Sequence, residues 1–174
     1  MAKIRFLEAD PRFAATLLEF EVQNRRYFES MIESRGDHFY HLPVVEQSLI
    51  TAQEERNQDE AYKYLVFIED VMVARLNFRR IERHGVASAE IGYRTAEHAA
   101  GKGITTKIVG MGKRLAEEQL SLSLLYANVL PNNTASQIVL LKNGFSFQNR
   151  YVGRLADHLP EQELIYFESY LTEG

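Results

Sequence analysis

The chain has 174 residues, 45% of them hydrophobic, a formal net charge of −4 and an isoelectric point of about 5.8. That length and apolar content suit a single domain with a sizeable core, and the acidic balance does not favour a nucleic-acid partner. There is no cysteine, which excludes a disulfide framework, a thiolate metal site and a cysteine nucleophile and fits a reducing, cytoplasmic setting, and no signal peptide or membrane-spanning stretch is read.

Lys3 to Glu8 alternates in the manner of a first strand. Asp10-Pro11 is a helix start, with Asp at N-cap and Pro at the first helical position, and Phe13, Leu17, Leu18 and Phe20 follow as an apolar stripe. Pro43 opens a second helix with Val44, Val45, Leu49 and Ile50, and the polar run from Gln53 to Glu60 reads as a solvated helix end or loop. Tyr62 to Ile68 and Val71 to Ile81 are β-branched and aromatic-rich strands, joined by a tight hairpin at Glu69-Asp70. A strand at Val86 to Arg94 comes next, then a helix whose apolar face is Ile104, Ile108, Met111 and Leu115. Leu122 to Leu130 is a strand and Thr134 to Lys142 a helix closed by Asn143-Gly144. Phe145 to Arg154 and Glu163 to Tyr170 are the closing strands. The order is mixed α/β.

The stretch from Glu90 to Lys107 carries the chemistry. A strand runs into His98-x-x-Gly101-x-Gly103, and Ile104, Thr105 and Thr106 then begin a helix. Glycines let backbone approach a ligand without an intervening Cβ. The helix start offers unpaired N–H groups and the positive end of a dipole. Together these form a phosphate seat, although Gly101 and Gly103 also fit an ordinary strand-to-helix turn. The spacing fails a P-loop, because Lys102 lies between the glycines and Ile104 follows. It fails a dinucleotide fingerprint, because Thr106 stands where a third glycine is required. The expected phosphate contacts are His98, Ala99, Ala100, Gly101, Gly103, Ile104 and Thr105; Lys102 and Lys107 are cationic candidates, or else solvated helix-end charges, and Lys142 is a further cofactor-binding candidate.

These residues resemble the pyrophosphate loop of the GNAT acetyltransferase superfamily, with His98 where that family usually has Gln or Arg. A second segment supports the resemblance: Asn133, Ser136, Gly144 and Phe145 match the family's Asn-x-x-Ser, helix and Gly-Phe in order and spacing. Glu90-Ile-Gly-Tyr93 and Asn24-Arg25 with Phe28 are similar to the Rim-type subgroup, which acetylates protein N-termini. The resemblance implies one domain over residues 1–174, with a mostly antiparallel sheet splayed between the strands at 86–94 and 122–130 and helices on both faces. It implies acetyl-CoA as acyl donor, with Ile91, Gly92 and Tyr93 bonding the pantetheine arm from one side and Asn133 from the other. Asn133 is equally suited to N-capping the helix that follows.

Glu90 is the general-base candidate, sharing a strand face with Ser88 and Gly92; a solvent-facing carboxylate is the alternative. The tyrosine acid common in the family is replaced by Leu140, and Ser136 is what the Rim-type pattern offers to the departing thiolate. The strand glutamate of some Rim-type enzymes falls at Leu155. In the family, the region of Asn24, Phe28, Tyr40 and His41 flanks the acceptor cleft. His38-x-x-His41 suggests no third ligand, so no metal is expected. The expected activity is direct acetyl transfer to a primary amine, either a protein or peptide N-terminus or a small amine such as a polyamine, amino acid or drug. A non-catalytic acyl-CoA sensor is the rival from another class, a nucleotide-binding domain a weaker one. A homodimer is common in such folds.

Overall fold

The computed structural model describes residues 2–171. Its elements are β1 (Ile4–Glu8), α1 (Ala14–Gln23), α2 (Arg25–Glu29), α3 (Leu42–Asn57), β2 (Tyr62–Ile68), β3 (Val71–Glu82), β4 (Ser88–Thr95), α4 (Ile104–Glu118), β5 (Leu124–Val129), α5 (Thr134–Lys142), β6 (Ser146–Gly153) and β7 (Gln162–Tyr170). Every strand and helix expected from the sequence is present. α3 continues to Asn57, so of the two readings of the polar run from Gln53 the helix end holds. The short α2 was not anticipated: it begins after Asn24, whose side chain turns inward and donates to the carbonyl of Phe20, interrupting α1.

The seven strands form one sheet in the order β1-β2-β3-β4-β5-β7-β6. Every pairing is antiparallel except β4 with β5. That parallel pairing holds only from Ser88–Leu124 to Glu90–Tyr126. Beyond Glu90 the two strands diverge, so the splay implied by the family resemblance is present, and it places Ile91 to Thr95 along an open gap.

Strand alternation divides the core between the two faces. On one face, Leu76, Phe78, Ile91 and Leu125 pack with Ile108 of α4 and Leu140 of α5. On the other, Leu65 and Phe67 pack with Leu17, Phe20, Phe28, Val45 and Leu49 of α1, α2 and α3. β3 contributes Leu76 and Phe78 to the first core, and its intervening positions on the second face are Arg75, Asn77 and Arg79. The apolar packing of that face therefore ends at the middle of the sheet, where a polar cleft begins. Among the described residues no helix is long and apolar enough to cross a membrane.

Candidate active site

At the end of β4 the chain turns through Glu97–Ala99 into the glycine loop. Gly101 and Gly103 both have φ +74, the left-handed region that penalises any Cβ. A Cβ built on either would meet nothing within 4 Å, so the loop faces open space. The loop is pinned from below. Ala96 donates its N–H to the carbonyl of Val73 at 2.8 Å. The N–H of Glu97 donates to Asn24 Oδ1 at 3.0 Å. The hydroxyl of Thr105 donates to that of Thr95 at 2.9 Å, tying the first turn of α4 to the end of β4.

Across the gap, Asn133 caps α5 by accepting the N–H of Ser136 at 3.1 Å. This leaves the Ser136 hydroxyl aimed over the splay, where it shares a 2.8 Å hydrogen bond with the phenol of Tyr93. Burial pushes the Tyr93 phenol up to about 12, against the opposing effect of the Ser136 bond, so it stays protonated at neutral pH.

Two cavities meet at this bridge. One, of about 400 Å³, runs from the glycine loop along α5 and is walled by Phe28, Gly101, Gly103, Thr105, Ala135, Ile138 and Lys142. The other, of about 660 Å³, opens toward the loops around His38 and His158 and includes Arg35, Arg75, Asn77, Arg79, Glu90, Gly92 and Asn128. Tyr93, Arg94, Asn133 and Ser136 border both.

Among the site candidates, Phe28, Tyr93, Ala100, Gly101, Gly103, Thr105, Asn133, Ser136 and Lys142 border the first cavity. Glu90, Ile91 and Gly92 border the second. Ala99 is buried beneath the loop, His98 and Lys102 are exposed, and Ile104 opens α4; none of the four borders a cavity. Asn24, Tyr40 and His41 also line neither. Asn24 is buried, with both ends of its amide engaged by Phe20 and Glu97. The Tyr40 ring lies under the Arg25 guanidinium at 4.1 Å, and His41 is exposed at the start of α3.

Glu90 is 4% exposed. Arg79 donates to its Oε1 at 2.7 Å, and Asn128 donates to Oε2. Asn128 in turn accepts from the Tyr151 hydroxyl, so a hydrogen-bonded chain leads from Glu90 to β6. Sequence reasoning did not identify the arginines of the second cavity. Their signal was the alternation Arg75-x-Asn77-x-Arg79 in a strand whose other face is apolar. A fully buried carboxylate, Glu21, sits among them, with Arg75 at 2.7 Å, Arg94 at 3.5 Å and Arg35 at 3.8 Å. Burial alone would raise the Glu21 carboxyl, but Arg75, Arg35 and Arg94 together hold it below the usual range.

A glycine loop at a helix start thus opens beside a gap between parallel strands, and a second, polar cavity shares one wall with it. Residues 5–146 match the family described as "Acetyltransferase (GNAT) domain". The chain belongs to that family and is an acetyl-CoA-dependent acetyltransferase. It is 31% identical over 130 residues to the "Probable N-acetyltransferase YjcK" of Bacillus subtilis (strain 168), covering 74% of this chain and 72% of that one. Its fold is similar to that of the ribosomal-protein-S5-alanine acetyltransferase from Vibrio fischeri, with a TM-score of 0.88 at 18% identity, covering 98% of this chain and 94% of the other. Mycobacterium smegmatis RimJ in complex with CoA-disulfide superposes with a TM-score of 0.87 at 19% identity, over 96% of this chain and 81% of that one.

Proposed function

We propose that the protein acetylates the primary amine at a protein or peptide N-terminus. The observation that carries this reading is the junction of the two cavities at Tyr93 and Ser136, with the buried carboxylate of Glu90 in the wall of the acceptor side. The second cavity is the larger and opens between loops, which suits the end of a chain. Similarity to enzymes named for ribosomal-protein acetylation supports the same acceptor class.

Acetyl-CoA supplies the acyl group as an activated thioester. The open space above Gly101 and Gly103 and the start of α4 fit its phosphates. Ile91 to Tyr93, freed from β5 pairing by the splay, leave backbone groups of β4 able to bond the pantetheine arm as an added strand would. The acceptor nitrogen then bonds to the acyl carbon as the C–S bond breaks. Glu90 takes the amine's proton, directly or through water, and the Ser136 hydroxyl, polarised by Tyr93, donates a hydrogen bond to the departing sulfur. Alignment of the two substrates supplies the larger share of the acceleration, on the order of 7–11 kcal/mol.

Two substitutions test these roles. Ser136→Ala is expected to lower kcat about tenfold, the effect of roughly 1.4 kcal/mol at the transition state, with KM for acetyl-CoA nearly unchanged. An unaltered kcat would return Ser136 to the helix start alone. Glu90→Gln is expected to lower kcat by roughly 100-fold, while CoA affinity and Tm hold. A slower enzyme with a matching loss of Tm would make Glu90 a structural partner of Arg79. The reading as a whole is tested by CoA release from acetyl-CoA with N-terminal peptides, polyamines, amino acids and aminoglycosides. Release with peptides supports it; release with small amines only replaces the acceptor class. CoA binding without release from any of them would favour the sensor.

A further inference from the structure

The floor of the second cavity is a ladder with opposite ends. β3 and β4 pair Arg79 with Glu90, Asn77 with Gly92 and Arg75 with Arg94. Alternation puts all six on one face. At about 3.3 Å per residue, Glu90 and Arg94 stand about 13 Å apart along the strand. Gly92 lies midway. Its backbone is not left-handed, and a Cβ there would meet nothing within 4 Å. No turn or protein contact calls for glycine at this position; its effect is to leave the floor open between the carboxylate and the arginines.

Charge at the arginine end is unbalanced. Arg35, Arg75 and Arg94 surround one carboxylate, Glu21. Three cations against one anion leave an excess of two positive charges in a wall whose guanidinium side chains are only 12% to 29% exposed. Burial, with repulsion from Arg75 and Arg94, pushes Arg35 down to about 9. The Nε atoms of Arg75 and Arg79 are buried without hydrogen-bond partners. Glu90, already bonded to Arg79, and the exposed Glu33 are the other carboxylates among the described lining residues. Cations packed this tightly match a planar anion that accepts from forked guanidiniums.

We propose that the acceptor carries a carboxylate within one or two residues of its reacting amine, and that Arg35, Arg75 and Arg94 bind that group. This deepens the amine-acceptor function proposed above and rests on it. The acceptor lies along the ladder with its amine toward Glu90 and its acidic group toward Arg94. The carboxylate can belong to an acidic side chain of an N-terminal peptide or to a free amino acid.

Calorimetric titration of the CoA-loaded protein tests the proposal without turnover. The probes are a tetrapeptide amide with serine first and aspartate second, its asparagine twin, and free glutamate. The acidic peptide should bind about tenfold more tightly than its twin, a difference of about 1.4 kcal/mol. Added salt should narrow the ratio, Arg35→Gln should reduce it to about threefold or less, and Arg35→Lys should restore part of it. Arg35 lies outside the helices and strands, and Arg75 and Arg94 still face Glu21 in its absence. Free glutamate binding as well as the acidic peptide would identify an amino acid as the source of the carboxylate. Equal affinity for the twin peptides, no binding of any carboxylate probe, or a ratio indifferent to Arg35→Gln would overturn the proposal. Turnover of neutral peptides at the same rate as acidic ones would remove this inference and leave N-terminal acetylation standing.

Discussion

Gly101→Val is expected to reduce CoA affinity at least about 100-fold, a loss of about 2.7 kcal/mol. Two effects act together. Gly101 has φ +74, where an L residue costs about 1–2 kcal/mol and a β-branched one is least tolerated. The valine side chain would also stand in the space that the loop leaves open toward α4, where phosphates must approach backbone N–H groups. Strain and obstruction can be separated with Gly85→Val. Gly85 has φ +75, also meets nothing within 4 Å, and lies in the turn between β3 and β4, away from both cavities. It imposes similar strain without touching the loop and should retain CoA affinity. The measurement is a thermal shift with CoA. Wild type at 100 times Kd should gain about 2.7 kcal/mol, Gly85→Val should gain the same from a lower starting point, and Gly101→Val should gain about 0.4 kcal/mol or less. Full CoA stabilisation of Gly101→Val would mean that the phosphates sit elsewhere.

The glycine loop was legible in the sequence because it is local. Two glycines, the helix that follows and the Asn133 cap are set by neighbours within a few residues. The strands and helices were legible for the same reason, since periodicity and turn chemistry act over short spans. The residues that escaped are those whose meaning depends on distant partners. Asn24 resembled a substrate-facing residue by position, yet its carboxamide accepts from Glu97, 73 residues away, and holds up the loop. Alternation placed Glu90 on a face with Gly92 but could not say what covered that face. Arg79 from β3 and Asn128 from β5 make the difference, and both arrive through strand pairing. The tyrosine expected near the thiolate was absent at Leu140, which lies wholly in the core. Tyr93 reaches Ser136 from the opposite wall instead, a pairing that only the splay makes possible. The arginine cluster was visible as alternating polar residues in an otherwise apolar strand. Its centre, Glu21, comes from a helix 54 residues before Arg75, and nothing local marks it as buried.

That centre carries the second large effect. Glu21→Gln is expected to lower stability at neutral pH by about 3–5 kcal/mol, the range for removing one partner from a buried ion pair. Gln keeps the shape and one oxygen to accept from Arg75, but Arg35, Arg75 and Arg94 would then be buried together with no counter-charge. The attraction is chiefly coulombic, because Oε2 of Glu21 has no hydrogen-bond partner and Arg94 lies 3.5 Å from it. For a chain of this size the loss corresponds to a fall in Tm of roughly 6–20 °C. The sign with pH follows from the depressed carboxyl. Its stabilisation is fully present above the ordinary value of 4.5 and is lost as pH falls through the lower folded value. Wild type should therefore lose an increment of stability in acid that the variant never had. The Tm difference between the two should be widest at neutral pH and shrink below about pH 4.5. Curves that stay parallel into acid would show that Glu21 does not titrate with unfolding there. A neutral-pH difference under about 1 kcal/mol would mean that the three guanidiniums already find solvent or another anion. The same measurement bears on the acceptor, because a bound carboxylate at the cluster replaces part of the missing charge. The acidic tetrapeptide amide should raise the Tm of CoA-loaded Glu21→Gln more than its asparagine twin does.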